Sequence, residues 1–277
     1  MEDLDNLNIE TRLLLEAIFQ KYGYDFRDYS WAAIKRRIRH RCRASGLSNI
    51  SEMQHKILYQ TDFFEKILLD LTINVTEMFR DPHFYRVLRQ NVIRELKDEP
   101  FLKVWHAGCS TGEEAYSMAI LLKEEGLYDK TQIYATDVNE SVLQEAKEGI
   151  FPLQRMKLFT RNYLQAGGKE SFSDYYTASY ESAIVDKSLR NRIVFANHNL
   201  VTDGVFGEMH IIICRNVLIY FNKKLRNRVL GLFTDSLADK GFLCLGTKES
   251  ILFSGYANRF TESFPDEKIY RKNESVN

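Results

Sequence analysis

The sequence has few cysteines, no net charge and no long apolar run. Its 277 residues contain four cysteines, and no two of them form a Cys-x-x-Cys pair. We therefore expect a reduced protein with no disulfide framework and no bound metal. No apolar run approaches the roughly 20 residues of a membrane-spanning helix, and residues 1–5 are acidic where a signal peptide would be basic. These absences predict a cytoplasmic protein that does not insert into a membrane.

Basic and acidic residues are balanced in number, with 38 lysines and arginines against 38 aspartates and glutamates. A neutral total argues against nonspecific coating of nucleic acid. The composition is 44% hydrophobic and 13% aromatic, which excludes a disordered, collagenous or coiled-coil chain. A chain of this length and composition forms one large or two modest globular domains.

The first part of the chain, up to about residue 98, is predicted to be entirely helical. Its apolar residues recur at helical spacing, as Leu14 and Ile18 do, and no strand-like alternation interrupts them. Ser51 is expected to cap one of these helices, and Asp62 to open another. We therefore assign residues 1–85 to a helical domain with its linker.

From Leu102 onward, short apolar runs alternate with amphipathic helices. The almost purely apolar run at 209–214 is typical of a central parallel strand that is covered on both faces. This alternation predicts a doubly wound α/β sheet in residues 86–277. The expected strands are 102–107, 132–136, 209–214, 242–245 and 268–271, and the expected helices are 113–124, 139–148 and one along 225–237.

Residues 151–199 do not follow the alternation of strands and helices. They are polar and rich in tyrosine, and the glycine pair Gly167-Gly168 predicts a turn. Residues 193–195 have the pattern of a returning strand. We therefore predict a small β-rich subdomain inserted at about 158–195.

The turn after the first strand, residues 106–114, is rich in small residues and ends in two acids. Small residues let the backbone turn tightly and let a ligand approach the start of the next helix. The segment is neither a G-x-G-x-x-G fingerprint nor a P-loop, and Glu113 and Glu114 would repel a pyrophosphate. The two acids suit a ligand with an amine or sulfonium cation. The turn therefore favours S-adenosylmethionine over a dinucleotide.

Asp137 closes the second predicted strand and has two readings. A carboxylate at this place can accept hydrogen bonds from both ribose hydroxyls of an adenosine. It can equally be a helix N-cap, as can Asn139. Spacing favours the ribose role without deciding between them.

Three separate segments carry distinctive motifs: Cys109 to Ser117 (CSTGEEAYS), Cys214 to Phe221 (CRNVLIYF) and Asn74 to Asp81 (NVTEMFRD). Together they resemble the chemotaxis receptor methyltransferases of the CheR type, and the likeness extends over nearly the whole chain. The family implies a class I S-adenosylmethionine-dependent methyltransferase fold, preceded by a helical receptor-recognition domain. It also implies transfer of methyl groups to glutamate side chains of receptors, leaving S-adenosylhomocysteine.

The resemblance also implies roles for individual residues. Arg80 and Tyr220 match active-site residues of the family, and Arg80 holds a carboxylate of either the cofactor or the substrate. The cofactor-binding positions implied by the family are Asn74, Thr76, Arg80, Glu114, Asp137, Asn199, Leu200, Arg215 and Asn216.

The expected chemistry requires no general base and no metal. A glutamate carboxylate is already ionised at neutral pH, because its reference pKa is about 4.3. Its attack on a sulfonium methyl group therefore depends on positioning and electrostatics. Cys109, Cys214 and the histidines are expected to be structural, and Tyr220 is expected to orient the incoming carboxylate.

Residues 35–43 carry six lysines and arginines and no acid. Helical spacing places Arg36 and Arg43 away from the core, with Arg37 and Arg39 on the flanks. These four arginines are expected to bind the methylated helices of a receptor, although a solvated face is the ordinary reading of such a run. Nucleic acid is not expected, since no aromatic residues are interleaved on the outward face. The family likeness further suggests that a receptor tail binds the β-rich subdomain and that the enzyme is a monomer.

Other functions predict other features. Enzymes that methylate nitrogen often carry an Asn/Asp-Pro-Pro-Tyr segment after the fourth strand, where this chain has no proline. A signalling scaffold that only binds the cofactor would not need Arg80 and Tyr220. A nicotinamide dehydrogenase would need the missing glycine fingerprint.

Overall fold

The computed structural model describes residues 2–72 and 75–274. They divide into two compact units, residues 2–72 with 218–229 and residues 75–217 with 230–274. The α-helices are α1 (Glu2–Tyr22), α2 (Trp31–Ala44), α3 (Ile50–Tyr59), α4 (Thr61–Leu71), α5 (Pro82–Val87), α6 (Ile93–Glu95), α7 (Glu113–Glu124), α8 (Glu140–Glu148), α9 (Met156–Gln165) and α10 (Lys223–Ser236). The strands are β1 (Leu102–Ala107), β2 (Thr131–Asp137), β3 (Ile150–Pro152), β4 (Tyr176–Ser179), β5 (Ser182–Val185), β6 (Ile193–Asn197), β7 (Met209–Cys214), β8 (Leu237–Leu245), β9 (Phe260–Phe264) and β10 (Ile269–Lys272).

The first unit, which we call the helical unit, contains α1 to α4 and the segment 218–229. α1 packs against α3, and α2 packs against α4. Each of these four helices buries pairs of apolar residues spaced four apart, which lie on one face of a helix. The pairs are Leu14 and Ile18, Ile34 and Ile38, Met53 and Ile57, and Ile67 and Leu71.

The predicted cap at Ser51 is wrong. α3 begins at Ile50, and the side chain of Asn49 accepts a hydrogen bond from the backbone N–H of Glu52 at 2.9 Å. Asparagine in extended backbone is at least as good an N-cap as serine, and Glu52 completes the cap by accepting the N–H of Ser48 at 3.0 Å. Ser51 instead donates its hydroxyl to Glu10 at 2.7 Å, in the first turn of the helix.

The segment 218–229 joins the helical unit through a short antiparallel bridge. Phe221 pairs with Tyr29, and the centres of their rings lie 4.9 Å apart. The backbone N–H of Asn222 donates to the carbonyl of Asp28 at 2.9 Å. The bridge therefore fixes the start of α10 beside the start of α2.

The second unit, the methyl-sheet unit, contains a seven-stranded sheet with the strand order β6-β2-β1-β7-β8-β10-β9. β1 lies between β2 and β7 and runs parallel to both, whereas β10 is antiparallel to β8 and β9. The chain goes from β1 outward to β2 and β6, then returns to β7 on the other side of β1. The predicted doubly wound α/β sheet is confirmed, with its strand order reversing next to β1.

A separate three-stranded antiparallel sheet has the order β3-β5-β4. Its strands lie between residues 150 and 185, and the hairpin β4–β5 turns at Tyr180, whose φ of 52° is left-handed. The strand predicted at 193–195 is β6, and it lies at the edge of the large sheet, where it pairs in parallel with β2. Residues Ile193–Asn197 pair one by one with Ile133–Asp137 of β2. This strand therefore belongs to the large sheet and not to the β-rich subdomain that the sequence predicts up to about residue 195.

α5, a π-helical turn at Leu88–Val92 and α6 follow one another directly. Pro82 occupies the first helical position, where a missing N–H has no consequence. Phe84, Leu88 and Val92 are buried in the same core as β1 and β7. These three consecutive helical segments therefore belong to the methyl-sheet unit. They extend across residue 85, where the sequence predicts the domain boundary.

Candidate active site

The carboxyl ends of β1, β2 and β7 meet at one edge of the sheet, because the three strands are parallel neighbours. Ligands of open α/β sheets bind at this edge, next to the reversal of strand order. The turn 108–112 follows β1, Asp137 closes β2, and Arg215 and Asn216 follow β7. The structure thus brings together most of the residues predicted to bind the cofactor.

Two glycines shape the turn after β1. Gly108 has φ +82°, and a Cβ there would lie 2.5 Å from Cγ2 of Val217. Gly112 has φ +90°, and a Cβ there would lie 3.0 Å from the Cβ of Ala146. Both positions combine a left-handed backbone with a close neighbour, so only glycine fits without a shift of the chain.

Asp137 joins the turn after β1 to the loop after β2. Its Oδ2 accepts the backbone N–H of Ser110 at 2.9 Å, and its Oδ1 accepts that of Asn139 at 3.0 Å. The N-cap of α8 is Asn139, whose side chain accepts the N–H of Ser141 at 3.0 Å. Burial raises the pKa of Asp137, and the N–H groups of Asn139 and Ser110 offset this only in part. Each carboxylate oxygen keeps a lone pair for a ligand hydroxyl.

The adjacent acids Glu113 and Glu114 have different environments, which the sequence did not indicate. Glu113 is fully buried; its Oε1 lies 2.7 Å from Nη1 of Arg155, and its Oε2 accepts the hydroxyl of Thr111 at 2.6 Å. Burial raises the pKa of Glu113, and the hydrogen bonds to Thr111 and Arg155 only partly offset this. Glu113 is therefore a structural residue, which leaves Glu114 as the carboxylate that a ligand cation can meet.

Glu114 is held by two donors on neighbouring strands. Its Oε1 lies 3.1 Å from Nδ1 of His106 on β1, and its Oε2 lies 3.2 Å from Nη1 of Arg215. Burial acts to raise the pKa of Glu114, but the hydrogen bonds and charges of His106 and Arg215 outweigh it. The pKa consequently lies below its ordinary value, so Glu114 is a carboxylate at neutral pH. His106 therefore has the structural role expected of it, and its contact with Glu114 is the part that the sequence did not show.

Arg215 is the most connected charge of the site, and its side chain is only 2% exposed. Its Nη2 lies 2.6 Å from Oδ2 of Asp81, and its Nη1 also donates to the carbonyl of Arg80 at 3.2 Å. Its guanidinium stacks 4.2 Å from the ring centre of Phe84. Arg215 therefore links Glu114 to the segment that carries Arg80.

The strap, residues 75–81, is fastened at several backbone groups by polar side chains of the methyl-sheet unit. Phe79 and Asp81 have left-handed φ values of 52° and 56°, so the strap depends on this support. The fastenings are Arg155 to the carbonyl of Thr76, Asn162 to that of Met78 at 3.1 Å, Arg215 to that of Arg80, and the N–H of Phe79 to the hydroxyl of Ser117 at 2.9 Å.

Arg80 projects from this strap and is partly exposed. Its Nη1 donates to the carbonyl of Val75 at 3.0 Å, which folds the side chain back along the strap. A guanidinium has five N–H donors, so the others stay available to a carboxylate. Thr76 lies in the same strap, whereas Asn74, also predicted to touch the cofactor, falls outside the described residues.

Asn199 and Leu200 follow β6, the strand next to β2. The backbone N–H of His198 donates to the carbonyl of Asp137 at 3.2 Å, which brings this loop beside the site. The side-chain oxygen of Asn199 accepts the N–H of Val201 at 2.9 Å, and Leu200 is buried. The loop therefore presents a fixed polar turn and one apolar side chain beside Asp137.

Glu249 completes the edge of the sheet, although no motif pointed to it. Its Oε2 accepts the N–H of Asn216 at 3.0 Å and that of Gly246 at 2.6 Å. Asn216 has a left-handed φ of 61°, and the shared carboxylate holds it in place. An acid four residues after a strand of the large sheet is the sequence signal that could have found it.

The helical unit contains the remaining predicted residues. Arg37, which the sequence predicts on the flank of its helix, is instead buried. It stacks 4.6 Å from the ring centre of Tyr220 and donates to the carbonyl of Leu71 at 2.6 Å. Arg36, Arg39 and Arg43 are exposed as expected.

Metal and thiol chemistry find no support in the described residues. No group of three histidine, cysteine, aspartate or glutamate residues within 2–72 and 75–274 is placed to hold a metal ion. Burial raises the pKa of the Cys109 and Cys214 thiols far above their ordinary value, so these thiols stay protonated. In the same ranges, no helix is long and apolar enough to cross a membrane.

Two family models match the chain in succession. Residues 9–72 match the all-alpha domain of CheR methyltransferases, and residues 74–267 match their SAM binding domain. The second match alone covers more than half of the chain. The match confirms S-adenosylmethionine as the cofactor and the class I methyltransferase fold as the architecture.

Individual relatives agree with the family models. A Pseudomonas putida protein named "Putative methyltransferase Cher3" is 52% identical over 96% of this chain and 98% of its own length. A chemotaxis protein methyltransferase of Borreliella burgdorferi is 28% identical over 89% of this chain and 90% of its own. That of Salmonella typhimurium is 29% identical over 90% and 86%. These likenesses span both units.

Proposed function

Because the chain belongs to the CheR methyltransferase family, we propose that it forms glutamyl methyl esters on methyl-accepting chemotaxis receptors or related signalling receptors. The observation that carries this proposal is the match of both family domains in order, together with the Glu114 carboxylate at the edge of the sheet. Relatives with the name chemotaxis protein methyltransferase support the substrate class.

The site residues fit the groups of S-adenosylmethionine. Asp137 offers two carboxylate oxygens to the ribose diol, and Glu114 offers a carboxylate to the ammonium group. Gly108 and Gly112 keep the turn free of side chains, so the ligand can approach the backbone. Asn199, Leu200 and Asn216 follow strands that end at the same edge, and with Thr76 of the strap they would complete the proposed pocket.

The proposed reaction requires positioning rather than proton transfer. S-adenosylmethionine supplies a methyl group on a sulfonium, which is electrophilic without further activation. Arg80, with donors left over beyond Val75, would hold a carboxylate, bidentately where the geometry permits. Arg215 and Arg155 would keep the strap in place, so that Arg80 is presented in one orientation. Tyr220 would orient the substrate carboxylate through its hydroxyl.

Tyr220→Phe tests that last role. Only the hydroxyl is removed, and the ring still stacks on Arg37, so the fold should not change. We expect the affinity for S-adenosylhomocysteine to be unchanged and the turnover to fall by about ten- to a hundredfold, as for the loss of one charge-directed hydrogen bond. Calorimetry and single-turnover methylation measure the two quantities. Turnover equal to that of the unaltered protein would restrict Tyr220 to packing.

The function itself is tested by the chemistry of the product. The protein is incubated with methyl-labelled S-adenosylmethionine and membranes that contain receptors from the same source, and the products are treated with mild alkali. Glutamyl methyl esters release volatile labelled methanol, whereas N-methyl groups remain bound. Label that resists alkali would indicate methylation of nitrogen, and cofactor binding without any labelled product would indicate a scaffold.

A further inference from the structure

The first turn of α10 has an unusual charge. Residues 218–229 contain two lysines, two arginines and no acid, and Lys223, Lys224 and Arg226 are exposed. Cations at a helix N-terminus are opposed by the helix dipole. The helix is started instead by Asn222, whose side chain accepts the N–H of Leu225 at 2.9 Å. The stability of α10 therefore does not explain its lysines.

Ion pairs within the helical unit do not explain them either. Lys224 lies 3.1 Å from Asp28, but its side chain is 82% exposed, and a pair so open to water contributes little. Among residues 2–72 and 75–274 no ion pair includes Lys223 or Arg226. These cations are directed to water or to a partner.

The start of α10 is fixed against the start of α2, the other basic helix. The backbone N–H of Ser30 donates to the carbonyl of Tyr220 at 2.7 Å, and Nδ2 of Asn222 donates to Oδ1 of Asp28 at 3.0 Å. These bonds flank the bridge between Tyr29 and Phe221. The starts of the two basic helices are thus joined by backbone and side-chain hydrogen bonds.

Tyr220 is part of this connection. Its ring stacks against the guanidinium of Arg37, which is the buried arginine of the basic run 35–43 on α2. The lysines of α10 begin three residues after Tyr220, and the exposed arginines of α2 follow Ser30, whose backbone N–H donates to the carbonyl of Tyr220. Tyr220, which we propose to face the substrate carboxylate, therefore lies where the starts of the two basic helices are joined.

We propose that these cations form one docking surface, the two-helix basic surface, which receives the glutamate-bearing helices of the receptor. The inference rests on the proposed function. It adds residues of α10 to the receptor-binding surface that the sequence predicts on α2 alone. Its members are Arg36, Arg39 and Arg43 of α2 and Lys223, Lys224 and Arg226 of α10.

The chemistry of the surface selects this partner over other anions. An acidic helix carries carboxylates at intervals of one turn, which rows of cations on two helices can match in charge and register. Single-stranded nucleic acid is held by aromatic side chains between the cations, and none occurs in 223–229. An amphipathic helix that binds membranes exposes an apolar face, whereas Leu225 and Val229 of α10 are buried.

The test compares two charge reversals of equal size in the full-length protein. Lys223→Glu with Arg226→Glu alters the proposed surface, and Arg94→Glu with Lys97→Glu alters exposed cations elsewhere. Initial rates are measured against a purified cytoplasmic fragment of a methyl-accepting receptor. We expect the first variant to raise KM for the fragment about tenfold with kcat unchanged, and to weaken the dependence of KM on salt. The control should leave both constants unchanged.

Affinity for S-adenosylhomocysteine and the melting temperature verify that each variant is folded, and Lys223→Gln with Arg226→Gln replaces the reversal if it is not. Equal KM values for the reversal and the unaltered protein would overturn the docking surface while the proposed function stood. A reversal that lost only binding to phosphatidylglycerol vesicles or duplex DNA, at unchanged KM, would also overturn it. An unaltered protein that did not methylate the fragment would instead contradict the proposed function.

Discussion

The two units differ in where they place charged side chains. At the edge of the sheet, charged side chains are buried and paired, as Arg215 is with Glu114 and Asp81. On α2 and at the start of α10, several cationic side chains are exposed, and they are close to one another in sequence. Buried pairs determine geometry, because breaking one leaves a desolvated charge without a partner. Exposed cations contribute little to folding, so their effect depends on an anionic partner.

The contrast predicts that substitutions at the sheet edge change folding and cofactor binding, whereas substitutions on the basic helices change only the use of the receptor. Arg37 is the informative exception. It belongs to the basic helix by sequence, yet its burial against Tyr220 and Leu71 makes it resemble the residues of the other class.

The largest effect is expected from Arg215→Ala. Removing this side chain leaves Glu114 and Asp81 without their shared cation, and breaking a buried pair in this way costs about 3–5 kcal/mol. We expect the free energy of unfolding of the methyl-sheet unit to fall by that amount. Urea unfolding can be followed in a Trp31→Phe background, where Trp105 is the remaining tryptophan and lies within β1.

Arg94→Ala, at an exposed position, is the control for that measurement. A loss below about 1 kcal/mol for Arg215→Ala would place it with ordinary surface pairs and remove the contrast between the two units.

Asp137→Asn should have the next largest effect. The amide keeps the size of the side chain but loses the charge that strengthens bonds from the ribose hydroxyls, which are worth roughly 1.5–3 kcal/mol. We expect the affinity for S-adenosylhomocysteine to fall about ten- to a hundredfold in calorimetry. Because burial raises the pKa of Asp137, affinity in the unaltered protein should also decline as the pH falls through that pKa.

Unchanged affinity in a folded Asp137→Asn variant would exclude the ribose role. It would leave Asp137 only its bonds to Ser110 and Asn139.

How far the sequence determined these features depends on the range of the interactions. The five predicted strands of the large sheet, the turn of small residues and the position of Asp137 follow from local patterns, and the structure contains each of them. β8 nevertheless begins at Leu237, which the apolar pattern assigns to the preceding helix, and β9 has no predicted counterpart. The different environments of Glu113 and Glu114 do not follow from local patterns, because the partner of Glu113 is Arg155, 42 residues away. The burial of Arg37 likewise depends on Tyr220 and Leu71, which are distant in sequence. Periodicity indicates which face a residue occupies, but not what the rest of the chain places against that face.

A smaller effect, with opposite signs, is expected from the pH dependence of the adjacent acids. The folded-state pKa of Glu114 lies below its ordinary value of 4.5, so the stability that it contributes is present above pH 4.5 and is lost as the pH falls through the folded-state pKa. The difference in unfolding free energy between the unaltered protein and Glu114→Gln should therefore shrink below pH 4.5.

Glu113→Gln is the matched control, because the pKa of Glu113 is raised above the same ordinary value of 4.5. A raised pKa penalises the folded carboxylate, so the contribution of Glu113 should become less favourable as the pH rises from 4.5 through the folded-state pKa. Parallel slopes for the two variants would contradict the different environments that we assign to these neighbours.

The smallest effect on folding is expected from reversing two exposed arginines of α2, Arg36→Glu with Arg43→Glu. Substitutions at such exposed positions usually change the free energy of unfolding by about 0.5 kcal/mol or less. Receptor methylation should nevertheless weaken, most clearly at low ionic strength, because salt shortens the screening length from about 10 Å at 0.1 M to about 3 Å at 1 M. Rates at several salt concentrations, beside urea unfolding of the same variant, separate the two quantities. If the reversal methylated receptors at the normal rate in low salt, α2 would be a solvated helix face, and the functional half of the comparison between the units would not hold.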